Sequence, residues 1–456
     1  MKKSHVSVIG LLTIGIISIL VTPTIIAEEE FQVIASIQSV EPYNNGLFSY
    51  TLEFEGDLMV MGEPQFGLDG ISQAGQVHVY DSEGAFRYAL TSPEPTSLGK
   101  FGNSIATDGS LIVVGETGAD HEKKNEGKAY IFNSECGLVA TLLAPVPTGN
   151  KGYGTAVEIA GDYVLVSEIY TMVNDVYYAG IVYIYDNNGE FVTTLQSPEP
   201  LINSNFGSKI AAGSDVVAIA EMTTPVGGEP TGPGKVYVFD LEWNLISTLS
   251  SPDTESNKDF GCSIAVSGDH IVVGESIKKV DGKERAGSAY LFTVEGELLQ
   301  TYKAPVPEEG GRFGGSVAIR DDLILIGEWE ADVEDADEGR AYLYDTDGQL
   351  LQSLESTEVQ VNSEFGHAVA ISGETLVINQ VCATVDGVSR AGKAYLYGLG
   401  SEAAEPTNTG SESTSTVTET QEEIGQEAKT GVPGFPWRSI LIGLVVVTIL
   451  LWRVRG

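Results

Sequence analysis

Positive charge is what this sequence has least of. Lys and Arg number 25 against 64 Asp and Glu, which leaves a formal net charge of −39. No basic stripe offsets it, so nucleic acid and anionic lipid surfaces are excluded as expected partners, and cations or basic surfaces are favoured. A need for solubility in high salt would account for the same charge. Cysteine is scarcer still. Cys136, Cys262 and Cys382 lie far apart, and an odd count gives no disulfide framework, so all three are expected to be small buried residues. Beyond the first few residues only four histidines occur, His78, His121, His270 and His367, with no zinc-ligand spacing, nucleophile elbow or phosphate loop. The chain is therefore expected not to be an enzyme, and no cofactor is implied. Strong helix signals are few, whereas 53 glycines and 42% hydrophobic residues suit many short strands around a sizeable core.

Long apolar runs occur only at the two ends. Lys2 and Lys3 precede a run from Val6 to Val21, and Ala27 stands just before Glu28, Glu29 and Glu30. A charged start, an apolar middle and a small exit residue make residues 1–27 a secretory signal, with an uncleaved anchor as the alternative. Residues 399–432 are rich in Ser, Thr and Glu and almost free of large apolar side chains, the composition of a disordered stalk. Residues 433–456 follow as an anchor, with an apolar stretch from Ile440 to Trp452 that is shorter than the roughly 20 residues of a comfortable span. Arg453 and Arg455 place the C-terminus inside and the rest outside, at the cell surface. Pro433-Gly434-Phe435, the apolar stretch and the arginines resemble, in that order, the archaeal PGF-type sorting signal. That resemblance implies an archaeal surface protein whose tail is removed and replaced by a lipid.

Between the ends, residues 28–398 repeat. An aromatic residue opens each unit: Phe48, Phe101, Tyr153, Phe206, Phe260, Phe313 and Phe365, at steps of 53, 52, 53, 54, 53 and 52 residues. Each unit reads as four short strands. The first alternates large and small residues, as in Phe101, Gly102, Ser104, Ile105 and Ala106, and the second is apolar throughout. Turns such as Gly161-Asp162 and Gly268-Asp269 join these two as tight hairpins. A glycine precedes the third strand in every unit, and Ser-Pro or Ala-Pro closes the fourth. The seventh unit stops after its third strand, while Phe31 to Ser39 carries the fourth-strand pattern ahead of the first unit. A last blade that borrows its outer strand from the N-terminus closes a ring, so the fold class is an all-β, seven-bladed β-propeller of four-stranded blades.

The units resemble FG-GAP repeats, the family that includes the integrin α-subunit propeller. FGNSIATDGSLIVVGET, FGCSIAVSGDHIVVGES and FGGSVAIRDDLILIGEW carry the opening Phe-Gly and the apolar strand ending in Gly, and the likeness runs from residue 31 to 398. It implies a cell-surface recognition or adhesion module that binds a glycan or protein ligand through the loop face. An extracellular polysaccharide lyase or hydrolase is the alternative, and a structural envelope component the third. Two departures matter. The calcium loop of DxDxDG type that many members carry between the first two strands is replaced by a tight turn, so calcium by that route does not carry over. The family's Gly-Ala-Pro becomes Gly-Glu or an equivalent in most units.

The second departure makes a ring: Glu63, Glu116, Glu168, Glu221, Glu275 and Glu328, with Gln380 in the seventh unit. These residues end the second strand on the ligand-binding face that the resemblance implies. Carboxylates there suit a cation, a sugar or a basic peptide, but a residue repeated in every blade also suits a structural part accepting hydrogen bonds. In blade six, Asp332, Glu334, Asp335 and Asp337 alternate along a loop as hard-cation ligands would, or form a solvated acidic loop; weak Ca2+ binding is the expectation. The segments between the ring position and the third strand differ in every blade, from VNDVYYA to TPVGGEPTGP, and are expected to carry recognition.

Overall fold

The computed structural model describes residues 30–146, 152–223, 234–253, 259–332 and 337–399. The signal, the stalk, the anchor and its sorting motif therefore lie outside the described residues. Within them, no helix is long and apolar enough to cross a membrane.

The described residues form 28 strands in seven antiparallel four-stranded sheets, each one blade of a propeller. Blade two shows the plan: an inner strand Phe101–Thr107, a second Leu111–Glu116, a third Lys128–Asn133 and an outer Leu138–Leu142. In blade two the second strand is buried from Ile112 to Glu116, because sheets cover both its faces. The outer strand is exposed except at its end, as an edge on one sheet must be. The Gly-Asp turns are two residues long, with Ala160 facing Tyr163 and Ser267 facing His270 across them.

Closure follows the expected route. The N-terminal strand Phe31–Gln38 pairs with the last strand, Lys393–Leu399, in the register Phe31 to Leu399 and Gln38 to Lys393, making the outer strand of blade seven. Seven apolar clusters each span two neighbouring blades, and the last joins Val377, Ala394 and Leu396 of blade seven to Phe48, Met59 and Met61 of blade one. All seven opening aromatics are wholly buried in these interfaces. The glycine before each third strand allows the backbones of adjacent blades to touch. Gly287 has φ +86°, and a Cβ there would lie 2.0 Å from the Phe313 carbonyl oxygen. The same approach lets Phe313 N–H donate to Ala286 O at 2.9 Å, and Phe48 N–H to Ala391 O at 2.9 Å across the closing seam.

The cysteines depart from expectation. Cys382 is buried and Cys262 partly so, but Cys136 is exposed, in the turn after the third strand of blade two. Its φ of +64° belongs to that turn, where shape rather than burial decides the residue.

Candidate functional site at the mouth of the axial channel

The acidic ring lies inside the protein. Glu63, Glu116, Glu275, Glu328 and Gln380 have no exposure, and Glu168 and Glu221 keep 2% and 3%. Each closes a second strand and turns back between blades. In five blades one oxygen accepts the hydroxyl of the third-strand tyrosine of the same blade: Tyr130 to Glu116 at 2.7 Å, Tyr183 to Glu168 at 2.7 Å, Tyr290 to Glu275 at 2.8 Å, Tyr342 to Glu328 at 2.8 Å and Tyr395 to Gln380 at 3.1 Å. In blade one His78 replaces the tyrosine, with Nε2 at 2.8 Å from Glu63. The serine closing the preceding blade's outer strand reaches the same position: Ser39 to Glu63 at 3.0 Å, Ser92 to Glu116 at 2.8 Å, Ser197 to Glu221 at 2.5 Å, Ser251 to Glu275 at 2.9 Å and Ser356 to Gln380 at 3.2 Å. Where the closing motif is Ala-Pro, Ala144 and Ala304 stand in its place.

The ring is thus a set of latches between blades. Burial raises the carboxyls of Glu63, Glu116 and Glu275 and pushes that of Glu328 up to about 7. Gln380 makes the same pair of hydrogen bonds without charge, which shows that the latch functions with a neutral side chain.

Of the acidic loop in blade six, Glu334 and Asp335 lie outside the described residues. Asp337 N–H donates to Asp332 Oδ1 at 3.0 Å, and Asp332 N–H donates to Glu308 Oε2 at 2.9 Å, so the ends of the loop are spent on closing it. No cluster of three or more metal-ligating side chains occurs among the described residues.

The loops between second and third strands are less varied than their sequences suggest. Blades one, three, five and seven build the same small hairpin, bridged Leu68 to Ile71, Val173 to Val176, Val280 to Lys283 and Val385 to Val388. Both turn residues have positive φ in each, from Asp69-Gly70 to Asp386-Gly387, which is the turn that Asp-Gly and Asn-Asp favour. The blade-two loop has no such bridge, and residues 224–233 of blade four and 333–336 of blade six lie outside the described residues.

Asymmetry is concentrated instead around the axis. The third residue of every repeat borders one cavity of about 530 Å³ at the loop-face mouth of the channel: Tyr50, Asn103, Thr155, Ser208, Cys262, Gly315 and His367. No two blades share a residue at this position, although the opening aromatic and the glycine beside it are nearly uniform. His367 packs at a tilt against Tyr50 at 5.2 Å and edge-on against Trp329 at 5.5 Å. Trp329 lies over Gly315, where a Cβ would come within 2.4 Å of its Nε1, and the Arg312 guanidinium covers the indole at 4.9 Å. Burial, helped by Lys209, lowers His367 to about 4, so the ring is neutral, and its Nδ1 has no hydrogen-bond partner in the structure.

Three of the charged residues that border the channel depart from the repeat pattern. Glu53 and Glu158 stand where the other five blades have Ala106, Ala211, Ala265, Ala318 and Ala370, and Lys209 stands where the others have Ser, Thr or Ala. All three border the mouth cavity, and both glutamates also border a second cavity of about 660 Å³ at the far end. There Arg320 of blade six bonds Glu55 of blade one at 2.9 Å. The channel walls encircle these groups, but Glu53 and Lys209 are exposed to its solvent and Glu158 is partly so. Burial, with the charge of Glu55, pushes Glu53 up to about 7; burial and the charge of Glu53 raise Glu158; burial lowers Lys209. Sequence reasoning noted His367 only as one of four histidines and missed the rest. The signal was present as diversity at one position of an otherwise uniform repeat.

Three segments match the FG-GAP repeat: residues 89–132, 243–292 and 303–344. The 89–132 match begins in the outer strand of blade one and ends in the third strand of blade two, so the sequence unit includes the interface that the ring latches. No curated protein matches the sequence. Among solved structures, the Pan2 WD40 domain of Neurospora crassa is similar with a TM-score of 0.52 at 11% identity, over 82% of this chain and 96% of that one. A chain of a mitotic checkpoint complex is similar with a TM-score of 0.51 at 11% identity, over 87% and 98%. At such identity the likeness establishes the propeller fold alone.

Proposed function

We propose that the chain is a cell-surface recognition module, exported and held by its C-terminal anchor, that binds an extracellular glycan or protein at the loop-face mouth of its axial channel. FG-GAP repeats on a propeller fit a ligand-binding or protein-interaction module. The observation that carries the choice of site is the break in symmetry. A repeat position that is free to vary, faces a cavity and collects Tyr50, His367 and the neighbouring Trp329 is where a rigid scaffold presents specificity. The export and anchoring parts of the reading rest on the termini in the sequence. Probing a glycan and peptide array with the protein and its Trp329→Ala variant tests the recognition part. A ligand retained by the protein and lost by the variant supports it, and equal retention sinks it.

A second reading, an enzyme acting on polysaccharide, has one observation in its favour. Glu53 and Glu158 share the channel, and the charge of one raises the proton affinity of the other, as general acid and base pairs require. Product release from an acidic or neutral polysaccharide, lost in both Glu53→Gln and Glu158→Gln, would replace the recognition reading with this one.

A further inference from the structure

Lys209 is the only Lys or Arg that borders the mouth cavity, and it forms no ion pair within 4.0 Å among the described residues. Its ammonium is exposed to the channel and so open to a ligand, in a chain of net charge −39. An anion completes it. The other groups of the rim narrow the class. Trp329 offers a flat apolar face held in place by Arg312, while Asn103, Thr155 and Ser208 supply neutral hydrogen-bonding groups from three consecutive blades. Below them stand the carboxyls of Glu53 and Glu158, and only one oxygen of Glu158 is engaged, by Ile159 N–H at 2.9 Å. A ligand matching all of this carries one carboxylate, one flat apolar face and several hydroxyls on a rigid ring.

We propose that the channel mouth binds an acidic sugar, a pyranose bearing a carboxylate, with that carboxylate on the Lys209 ammonium, the ring face on Trp329 and the hydroxyls on Asn103, Thr155, Ser208 and the two glutamate carboxyls. The proposal deepens the recognition reading above and rests on it. A peptide is the poorer fit. Its acidic side chains would satisfy Lys209, but it brings few hydroxyls to a rim built mainly of polar side chains.

Titration calorimetry on the full chain, with glucuronic, galacturonic and mannuronic acid oligosaccharides and their neutral hexose counterparts, tests this directly. At least one acidic sugar should bind, with its neutral counterpart at least about tenfold weaker, the worth of one charge-assisted hydrogen bond. Lys209→Gln should erase that preference and Lys209→Arg keep much of it, while Trp329→Ala should weaken acidic and neutral sugars alike. Thermal melting of each variant separates lost binding from lost fold. Equal binding of acidic and neutral sugars, or a preference that survives Lys209→Gln, overturns the assignment to Lys209 and leaves the recognition reading intact. Binding of acidic peptides but of no sugar does the same. An acidic sugar held equally well by all three variants puts the site elsewhere and overturns both readings, and failure of every sugar and peptide to bind overturns the proposal.

Discussion

Two sets of glutamates in this propeller teach opposite lessons. Those of the ring recur at one position in six blades, where four accept a tyrosine hydroxyl of their own blade and four a serine hydroxyl of the preceding one. Those of the channel, Glu53 and Glu158, occupy a position that is alanine in every other blade, and Glu158 engages one backbone N–H. Repetition marks what each blade needs in order to join the next. Departure from repetition marks what the assembled ring can do only once. The two sets differ in surroundings more than in chemistry, since the carboxyls of Glu63, Glu116, Glu275 and Glu328 in the ring are raised as those of Glu53 and Glu158 are.

The framework should depend most on its closure. Deleting Phe31 to Gln38 strips the outer edge from blade seven and exposes the strand Lys393–Leu399 to other chains. The melting temperature should fall by more than about 10 °C, or the protein should aggregate, both readable by differential scanning fluorimetry and gel filtration. Melting like the intact chain would mean that the ring does not need its seam.

A smaller effect separates the two sets of glutamates. Glu275→Ala leaves the Tyr290 and Ser251 hydroxyls buried without their shared acceptor and opens a small cavity, at a cost of about 2–4 kcal/mol. Glu53→Ala restores the residue that five sibling blades carry, so denaturant midpoints should stay level or rise. Comparable losses from both substitutions would erase the distinction.

A smaller effect still lies in the pH dependence. The folded protein holds the Glu328 proton up to about pH 7, because burial outweighs the Tyr342 hydrogen bond, against about 4.5 in the unfolded chain. The folded state therefore binds the proton more tightly. Stability from this group is complete below about pH 4.5 and is lost as the pH rises to about 7, by about 3 kcal/mol at most. Glu328→Gln, which makes blade six like blade seven at Gln380, should flatten that part of the stability profile. An unchanged slope would show that Glu328 is already ionised in the fold.

Much of this was legible in the sequence, for definite reasons. The opening aromatics, the glycine before each third strand and the displaced Phe31 to Ser39 segment repeat because every interface makes the same demand, and repetition survives without coordinates. The direction of the ring glutamates was not legible. The last residue of a strand can point into a loop or back between sheets, and only the partners Tyr130 and Ser92, distant in sequence from Glu116, decide it. The likeness of the odd-blade loops was hidden because Asp-Gly and Asn-Asp build one turn from different letters. The channel residues escaped notice because their mark is disagreement among Tyr50, Asn103, Thr155, Ser208, Cys262, Gly315 and His367, which no single repeat displays.

The division between framework and site is tested most directly by measuring two variants, Trp329→Ala and Glu116→Ala, for both melting temperature and binding of whichever ligand the array identifies. Trp329→Ala should lose at least about tenfold in affinity and melt close to the parent, since the indole covers a mouth rather than filling an interface. Glu116→Ala should melt several degrees lower and bind as the parent does wherever it remains folded. The reverse pattern, with affinity lost on the ring and stability lost at the mouth, would contradict the account.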